Sequence, residues 1–353
     1  MERIMNKASN LEKIHNMFGK KLELNAHEQM IADYVEGQIQ NVGYEIDLTS
    51  LTTIMKNVVE QKFFQIAPSD FMPVRAGEGA WSGQLTTYRS FQVGDDFSTG
   101  IINTGTNGTR LATTNVQLDA VNIKTGNWAK AHTWTLFDLQ MAMRAGNWDV
   151  IVSLEKARKK NWDLGIQSLA FLGLKDDTTN FPGLLNQSDV TTDTATITGF
   201  IKATSSADFV TFVTKIYQVY RANCNYTAKP THFIVPEYDY NGLVAPYSES
   251  FPIKTKLAAL QEAFAMLTQN PNFKILPLAY ANKSLGGLSK NMYCLLNYDS
   301  DSLRLDIPVM YQNTMANSTD NFSFTNVGYG QLTGVKAYRA KEMLYFSHTT
   351  ADT

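Results

Sequence analysis

Residues able to do chemistry are present in this chain, but not at the spacings that chemistry needs. The five histidines, His15, His27, His132, His232 and His348, stand singly, and none forms H-E-x-x-H or another metal-ligating pattern. His232 lies inside the apolar run THFIVP, where an imidazole reads as a hydrogen-bonded core group and not as a base. Cys224 and Cys294 belong to no C-x-x-C or Cys/His cluster and read as buried thiols in a reducing compartment. The pairs Asp95-Asp96 and Asp176-Asp177 fall in loops without a partner that would drive their proton affinities apart. Asp299-x-Asp301 with Asp306 lacks the glycine and terminal Glu of a calcium loop and reads as a hairpin turn between two strands. Gly77, Gly79 and Gly83 do not make G-x-G-x-x-G, and neither a P-loop string nor a G-x-S-x-G elbow occurs. No residue is therefore assigned a catalytic, cofactor-binding or metal-binding role, and the chain is expected not to be an enzyme.

One charged cluster remains. Lys156, Arg158, Lys159 and Lys160 could neutralise phosphates of a nucleic acid; alternatively they are a solvated helix face, since Glu155 and Asp163 dilute them and no aromatic platform accompanies them. Both readings stay open. The cluster rides on the longest helical signal in the chain, WDVIVSLEKARKKNWDLGIQSLAFL from Trp148 to Leu172. There Ile151, Leu154, Ala157, Asn161, Leu164, Ser168 and Leu172 recur at helical spacing, with Asn147 as cap and Gly173 as terminator. Such a helix would be a spine roughly 37 Å long.

The surrounding elements are those of a globular protein with partners. The 353 residues are 18% charged and 44% apolar with a formal charge of -2, so the chain is neither disordered nor a polycation that coats nucleic acid. No apolar run approaches a signal peptide or a membrane span, and synthesis in the cytosol is expected. Residues up to about 70 read as a loose arm with two short amphipathic helices. In the second, Ser50 caps a stripe of Leu51, Ile54 and Val58 that packs either on the chain's own core or across a neighbour. Strand patterns follow around Leu85–Val93 and Ala129–Leu139, separated by a polar excursion from Gly94 to Gln117 that reads as a two-stranded arm reaching outward. Within it, Phe97, Ile101, Ile102, Arg110 and Leu111 are candidate contacts with a neighbouring subunit. After the spine helix, a helix from Ser206, a strand at Thr231–Pro236, a helix at Lys254–Thr268 and a strand at Phe273–Pro277 make an α/β lobe. From Asn291 the chain returns to strands, at Met292–Leu296, Leu303–Ile307 and Gly334–Tyr338.

Several strings carry a resemblance. Gln84-Leu85-Thr86-Thr87-Tyr88-Arg89-Ser90-Phe91, the spine end Ala170-Phe171-Leu172-Gly173, the turn Pro182-Gly183-Leu184-Leu185-Asn186, Leu305-Asp306-Ile307-Pro308 and Gly334-Val335 resemble stretches of the Hong Kong 97-type major capsid proteins of tailed bacteriophages. The resemblance spans most of residues 60–345. It implies an α+β fold with an N-terminal arm (1–70), an extended loop with flanking strands (71–140), a peripheral domain with the spine helix (141–200), an axial domain (201–290) and return strands of the peripheral domain (291–353). It also implies a virion protein, assembled in the host cytoplasm into hexamers and pentamers of an icosahedral shell around double-stranded DNA. Portal, scaffolding and decoration proteins would be further partners, with no membrane and no cofactor. Two other readings compete: an encapsulin, which uses the same fold to package a cargo enzyme, and a hydrolase or transferase built on the α/β lobe.

Overall fold

A computed structural model describes residues 64–93, 115–144, 150–249, 251–318 and 320–351. In chain order, β1 (Val74–Ala76), β2 (Gln84–Val93) and the long β3 (Asn115–Thr135) lead into α1 (Leu136–Arg144) and α2 (Val150–Leu172). Then come β4 (Thr192–Asp193), α3 (Ser206–Asn223), β5 (His232–Pro236), α4 (Glu237–Gly242), the hairpin β6 (Pro246–Ser248) and β7 (Phe251–Thr255), α5 (Lys256–Thr268) and β8 (Lys274–Leu278). After the single-turn α6 (Lys283–Gly286) follow β9 (Asn291–Leu296), β10 (Leu303–Ile307), β11 (Val309–Asn313), β12 (Asn317–Ser318), β13 (Ser323–Thr333), β14 (Val335–Ala337) and β15 (Met343–His348).

A five-stranded sheet in the order β4-β15-β9-β5-β8 stands between two cores. Every residue of β5, β9 and β15 is buried, as befits strands covered on both faces. Side chains alternate between the two sides. Phe233, Val235, Tyr293, Leu295, Leu344 and Phe346 meet Phe209, Val213 and Ile216 of α3 and Leu260 and Phe264 of α5. Ile234, Cys294, Leu296, Met343 and Tyr345 meet Trp162, Ile166, Leu169 and Phe171 of α2 on the other side. Helices α3 and α5 start where they do because Ser205 and Thr255 cap them, each accepting from a backbone N–H three residues on, at 3.3 and 3.2 Å.

Helix α2 ends at Gly173, whose φ of +76° suits glycine. The turn after it finishes the cap: Leu184 and Leu185 donate their N–H groups to the carbonyls of Ala170 and Phe171 at 2.8 and 3.0 Å, and the Asn186 side chain donates to the Leu172 carbonyl at 2.6 Å. A Cβ on Gly183 would collide with the Gly173 nitrogen. The Gly-Leu-Leu-Asn string is thus a helix stop assembled from two glycines in contact.

Nearer its start, along the same face, α2 crosses a second sheet, ordered β11-β13-β3-β2 with β12 paired to β13. Arg158 and Trp162, one turn apart on the helix, lie over Gly328 and Gly330, two apart on β13: a Cβ on Gly328 would stand 2.6 Å from Arg158 Nε, and one on Gly330 would stand 2.5 Å from the Trp162 ring. Trp162 also packs on Trp128 of β3, with ring centroids 5.2 Å apart.

Four expectations are corrected. The boundary set at residue 290 falls inside a hydrogen-bonded sheet, because β9 and β15 join β5 and β4. The Asp299–Asp301 turn is not a hairpin: it links β9 to β10, which lies in a third sheet with β1 and β14. The strand expected at Ala129–Leu139 starts earlier, at Asn115, and stops at Thr135, where Thr135 and Asp138 cap the new helix α1 (Thr135 N to Asp138 Oδ2, 2.9 Å). The helix expected from Lys254 begins at Lys256, since Thr255 is its cap and ends strand β7.

Three consequences can be measured on the unassembled subunit. Gly330→Ala overpacks the Trp162 contact and should lower the free energy of unfolding by about 1–3 kcal/mol. Gly165→Ala, with open space where its Cβ would be, should raise it by about 0.5–1 kcal/mol in the same denaturant melts. His232, 7% exposed, is bonded to Thr231 Oγ1 at 2.9 Å and stacked on Tyr298; burial and then the Lys274 charge hold its pKa down to about 4 from 6.5. Because the unfolded chain takes up that proton first, stability should be full above pH 6.5 and fall by up to about 3 kcal/mol as pH drops to about 4. In melts across this range His232→Phe should flatten that slope.

Candidate assembly surfaces

Strand β3 changes its buried face halfway along. It pairs with β2 from Asn115 to Lys124 and with β13 from Thr125 to Thr135, both antiparallel. In the first half, Val121 and Ile123 point inward against Tyr338, with Leu85 of β2 beside them, while Val116, Leu118 and Tyr88 stand 63, 71 and 70% exposed on the opposite face. In the second half the even-numbered residues are the covered ones: Trp128 touches Trp162, and the Lys130 side chain reaches Asn161 at 3.4 Å. There the odd residues Ala129, Ala131 and Thr133 are exposed instead, beside the half-buried Val327 and Tyr329 of β13. One strand therefore carries two bare, uncharged strips facing opposite ways. Exposed apolar patches of this kind mark association surfaces.

A second patch lies where β3 runs into α1. Phe137 and Met141, one helical turn apart, are 63 and 61% exposed, and Phe137 meets Phe322 edge-on at 5.0 Å. The apolar residues of both patches were not singled out from the sequence. Part of their signal was present: apolar residues fall at 116 and 118 on one face and at 121 and 123 on the other, whereas the exchange of covered faces itself lies between Ile123 and Trp128.

The residues singled out from the sequence fare differently. Leu51, Ile54 and Val58, and Phe97, Ile101, Ile102, Arg110 and Leu111, lie outside the described residues. Lys156 and Lys159 are exposed and Lys160 is half-buried, and all three share one face of α2 by their i, i+3, i+4 spacing. Arg158 does not belong with them and is withdrawn as a DNA-facing residue. It is 2% exposed and donates to Tyr311 Oη at 2.8 Å, the Asn326 carbonyl at 2.8 Å, Asn313 Oδ1 at 3.0 Å and the Lys130 carbonyl at 3.3 Å. These bonds pin α2 to β3, β11 and β13 through neutral oxygens.

The polar cluster at the carboxyl ends of β5 and β15 is likewise committed to bracing. The Asp239 carboxylate, fully buried, accepts from Ile201 N and Lys202 N at 2.9 and 3.0 Å and from the Tyr293 hydroxyl at 2.7 Å, with His348 Nε2 3.2 Å from that hydroxyl. Cys224 and Cys294 are buried free thiols, and burial pushes the Cys294 thiol far up its pH scale. Among the described residues no group of three or more His, Cys, Asp or Glu could hold a metal ion. Within the same residues no helix is long and apolar enough to cross a membrane.

Comparison with known proteins bears on the family and the fold. A family model described as major capsid protein matches residues 99–348. No curated protein sequence matches the chain. Among solved structures, the capsid of Myoviridae phage XM1 superposes with a TM-score of 0.70 at 15% identity, covering 88% of this chain and 99% of that one. The capsid of a native GTA particle gives 0.53 at 9% identity, over 88% and 100%, and a chain of Mycobacterium phage Ogopogo 0.52 at 7%, over 88% and 100%. Identities this low speak for the fold alone, and the family match speaks for the rest: this chain belongs to the major capsid protein family and has the Hong Kong 97-type fold of tailed-phage capsids.

Proposed function

We propose that the chain assembles through its β2–β3 hairpin into hexamers and pentamers of an icosahedral phage head that encloses double-stranded DNA. The observation that carries this reading is the exchange of buried faces along β3. A ribbon bare above at one end and below at the other is a lap joint: the hairpin of one copy lays Tyr88, Val116 and Leu118 over the next copy's Ala129, Ala131, Val327 and Tyr329. The contact is heterologous, and a heterologous contact whose rotation closes makes a ring. Each large apolar side chain covered this way contributes about 1.5–3 kcal/mol, modest for one joint and substantial for a ring of them. Phe97, Ile101, Ile102, Arg110 and Leu111 of the connecting segment, and Leu51, Ile54 and Val58 of the N-terminal arm, would extend the same contact.

In this reading Lys156, Lys159 and Lys160 face the packaged DNA and bind it without sequence preference. Assembly takes place in the host cytoplasm, with a portal at one vertex and scaffolding or decoration proteins as further partners.

Val93 and Asn115 are paired in register, so residues 94–114 can be replaced by Asn-Gly, which closes a two-residue turn. The truncated subunit should melt like the full chain and yield no closed shells in electron micrographs; normal particles would remove the hairpin from the joint. Purified wild-type particles should contain nuclease-resistant DNA, whereas a stoichiometric enzyme cargo would favour a protein compartment. Replacing Lys156, Lys159 and Lys160 together by Gln should leave shells intact and lower the salt concentration at which opened particles release DNA. An unchanged salt profile would return those lysines to a solvated face.

A further inference from the structure

The root of the β2–β3 hairpin is clamped at one point and only rested at another. At the clamp, Gln331, 2% exposed, accepts from Trp81 N at 2.8 Å and donates to the Ser82 carbonyl at 2.9 Å, so one side-chain amide pairs with the chain as a neighbouring strand would. Thr125 adds a bond from its N–H to the Gly83 carbonyl at 3.3 Å and one from its hydroxyl to the Ser82 carbonyl at 2.5 Å. Gly77, Gly79 and Trp81 enter the clamp with φ of 86, 74 and 64°, a run of left-handed residues that concentrates the bend there.

Four residues beyond the clamp the ribbon meets Tyr338. The ring forms a small core with Val121, Ile123 and Leu85, separate from the two large cores. Its carbonyl accepts from Arg89 Nη1 at 3.0 Å, and its hydroxyl accepts from Arg304 Nη2 at 2.8 Å and lies 3.4 Å from Thr87 Oγ1. From behind, Tyr338 N donates to the Ser302 carbonyl at 2.8 Å, and Arg304, over the ring at 4.9 Å, is paired with the buried Asp306 at 2.8 Å. The body side of this contact is therefore fixed, while the hairpin side consists of the half-exposed Arg89 and Thr87 and the apolar side chains of Leu85, Val121 and Ile123.

We propose that Tyr338 is the stop that sets the angle of the hairpin, which pivots as a ribbon about the Gln331 clamp and is tied to the stop by Arg89 and Thr87. The device rests on the reading of the hairpin as the inter-subunit arm only for its use. A shell of hexamers and pentamers places one chain in unequal surroundings, and an arm with a weakly tied stop can meet each of them without refolding the body.

Distance measurement between spin labels on unassembled full-length subunits tests the stop apart from assembly. Ser90→Cys on β2 and Asp163→Cys on α2 are exposed positions, and the buried Cys224 and Cys294 stay unlabelled. The otherwise wild-type subunit and Tyr338→Phe, which keeps the ring, should give one narrow distance distribution. Tyr338→Ala, with a native melting profile, should at least double its width. A distribution as narrow as wild type in Tyr338→Ala overturns the proposal. Should that variant not fold, the half-exposed pair Arg89→Gln with Thr87→Val takes its place: broadening supports the stop and an unchanged width sinks it. Loss of shell formation by hairpin truncation bears on the arm and not on the stop, so the two readings fail separately.

Discussion

The whole architecture depends on one sheet having to satisfy two cores at once. Strands β5, β9 and β15 bury every side chain, alternately against α3 and α5 and against α2. Close packing on both faces leaves such strands no freedom to slide, because a one-residue slip would exchange the two sets of side chains. The α/β lobe and the spine helix are thereby locked as one body. With these large apolar faces covered internally, exposed apolar side chains remain at several places on the surface, among them the hairpin (Tyr88, Val116, Leu118) and the junction of β3 with α1 (Phe137, Met141).

That distribution explains why the second sheet is built so differently. Its β13 strand, SFTNVGYGQLT, brings glycine where the first sheet has leucine, since the bulk is supplied from above by Arg158 and Trp162 of α2. A strand thinned on one face lets the helix sit close, and Arg158 then finds its acceptors among carbonyl and amide oxygens of three strands. A buried guanidinium satisfied by neutral groups contributes orientation more than attraction: its planar fork fixes where the strands stand relative to the helix. On the far side of the same sheet, among the described residues, Trp81 packs on Tyr329 with ring centroids 5.8 Å apart, and beside it the exposed Ala129, Ala131 and Thr133 make a smooth strip suited to receiving another surface.

Legibility in the sequence followed how locally each element is determined. The spine helix was read from its internal period with Gly173 as its end, but the stripe read there runs through the exposed Ala157 and Asn161, one position out of phase with the buried Arg158, Trp162, Ile166 and Leu169. The capped helices from Ser205 and Thr255 were visible for the same reason, to within two residues. The 11-residue β13 was not seen, because its glycines and polar residues make sense only beneath Trp162. Strand β15, MLYFSH, was not named, although β5 and β9, equally buried on both faces, were. The site was misread in one place for a geometrical reason: four basic residues in five positions look like one patch, yet at 100° per residue Arg158 stands about 200° from Lys156. The hairpin was legible as an arm but not as a joint, since the exchange of covered faces between Ile123 and Trp128 depends on what the rest of the chain lays against each half.

The exchange of covered faces is also what would link fold to assembly in the proposed lap joint. Were the same face of β3 covered along its whole length, the ribbon would offer a continuous bare strip on the other. Such a strip is self-complementary and pairs back to back with a two-fold partner, which ends growth at a dimer. With the covered face exchanged between Ile123 and Trp128, the strip at one end would be satisfied by the opposite end of another copy, so every association would leave a new end of each kind until a ring closes. In that joint the tie between hairpin and body at Tyr338 would set the rotation between successive copies, and the rotation decides how many of them close the ring.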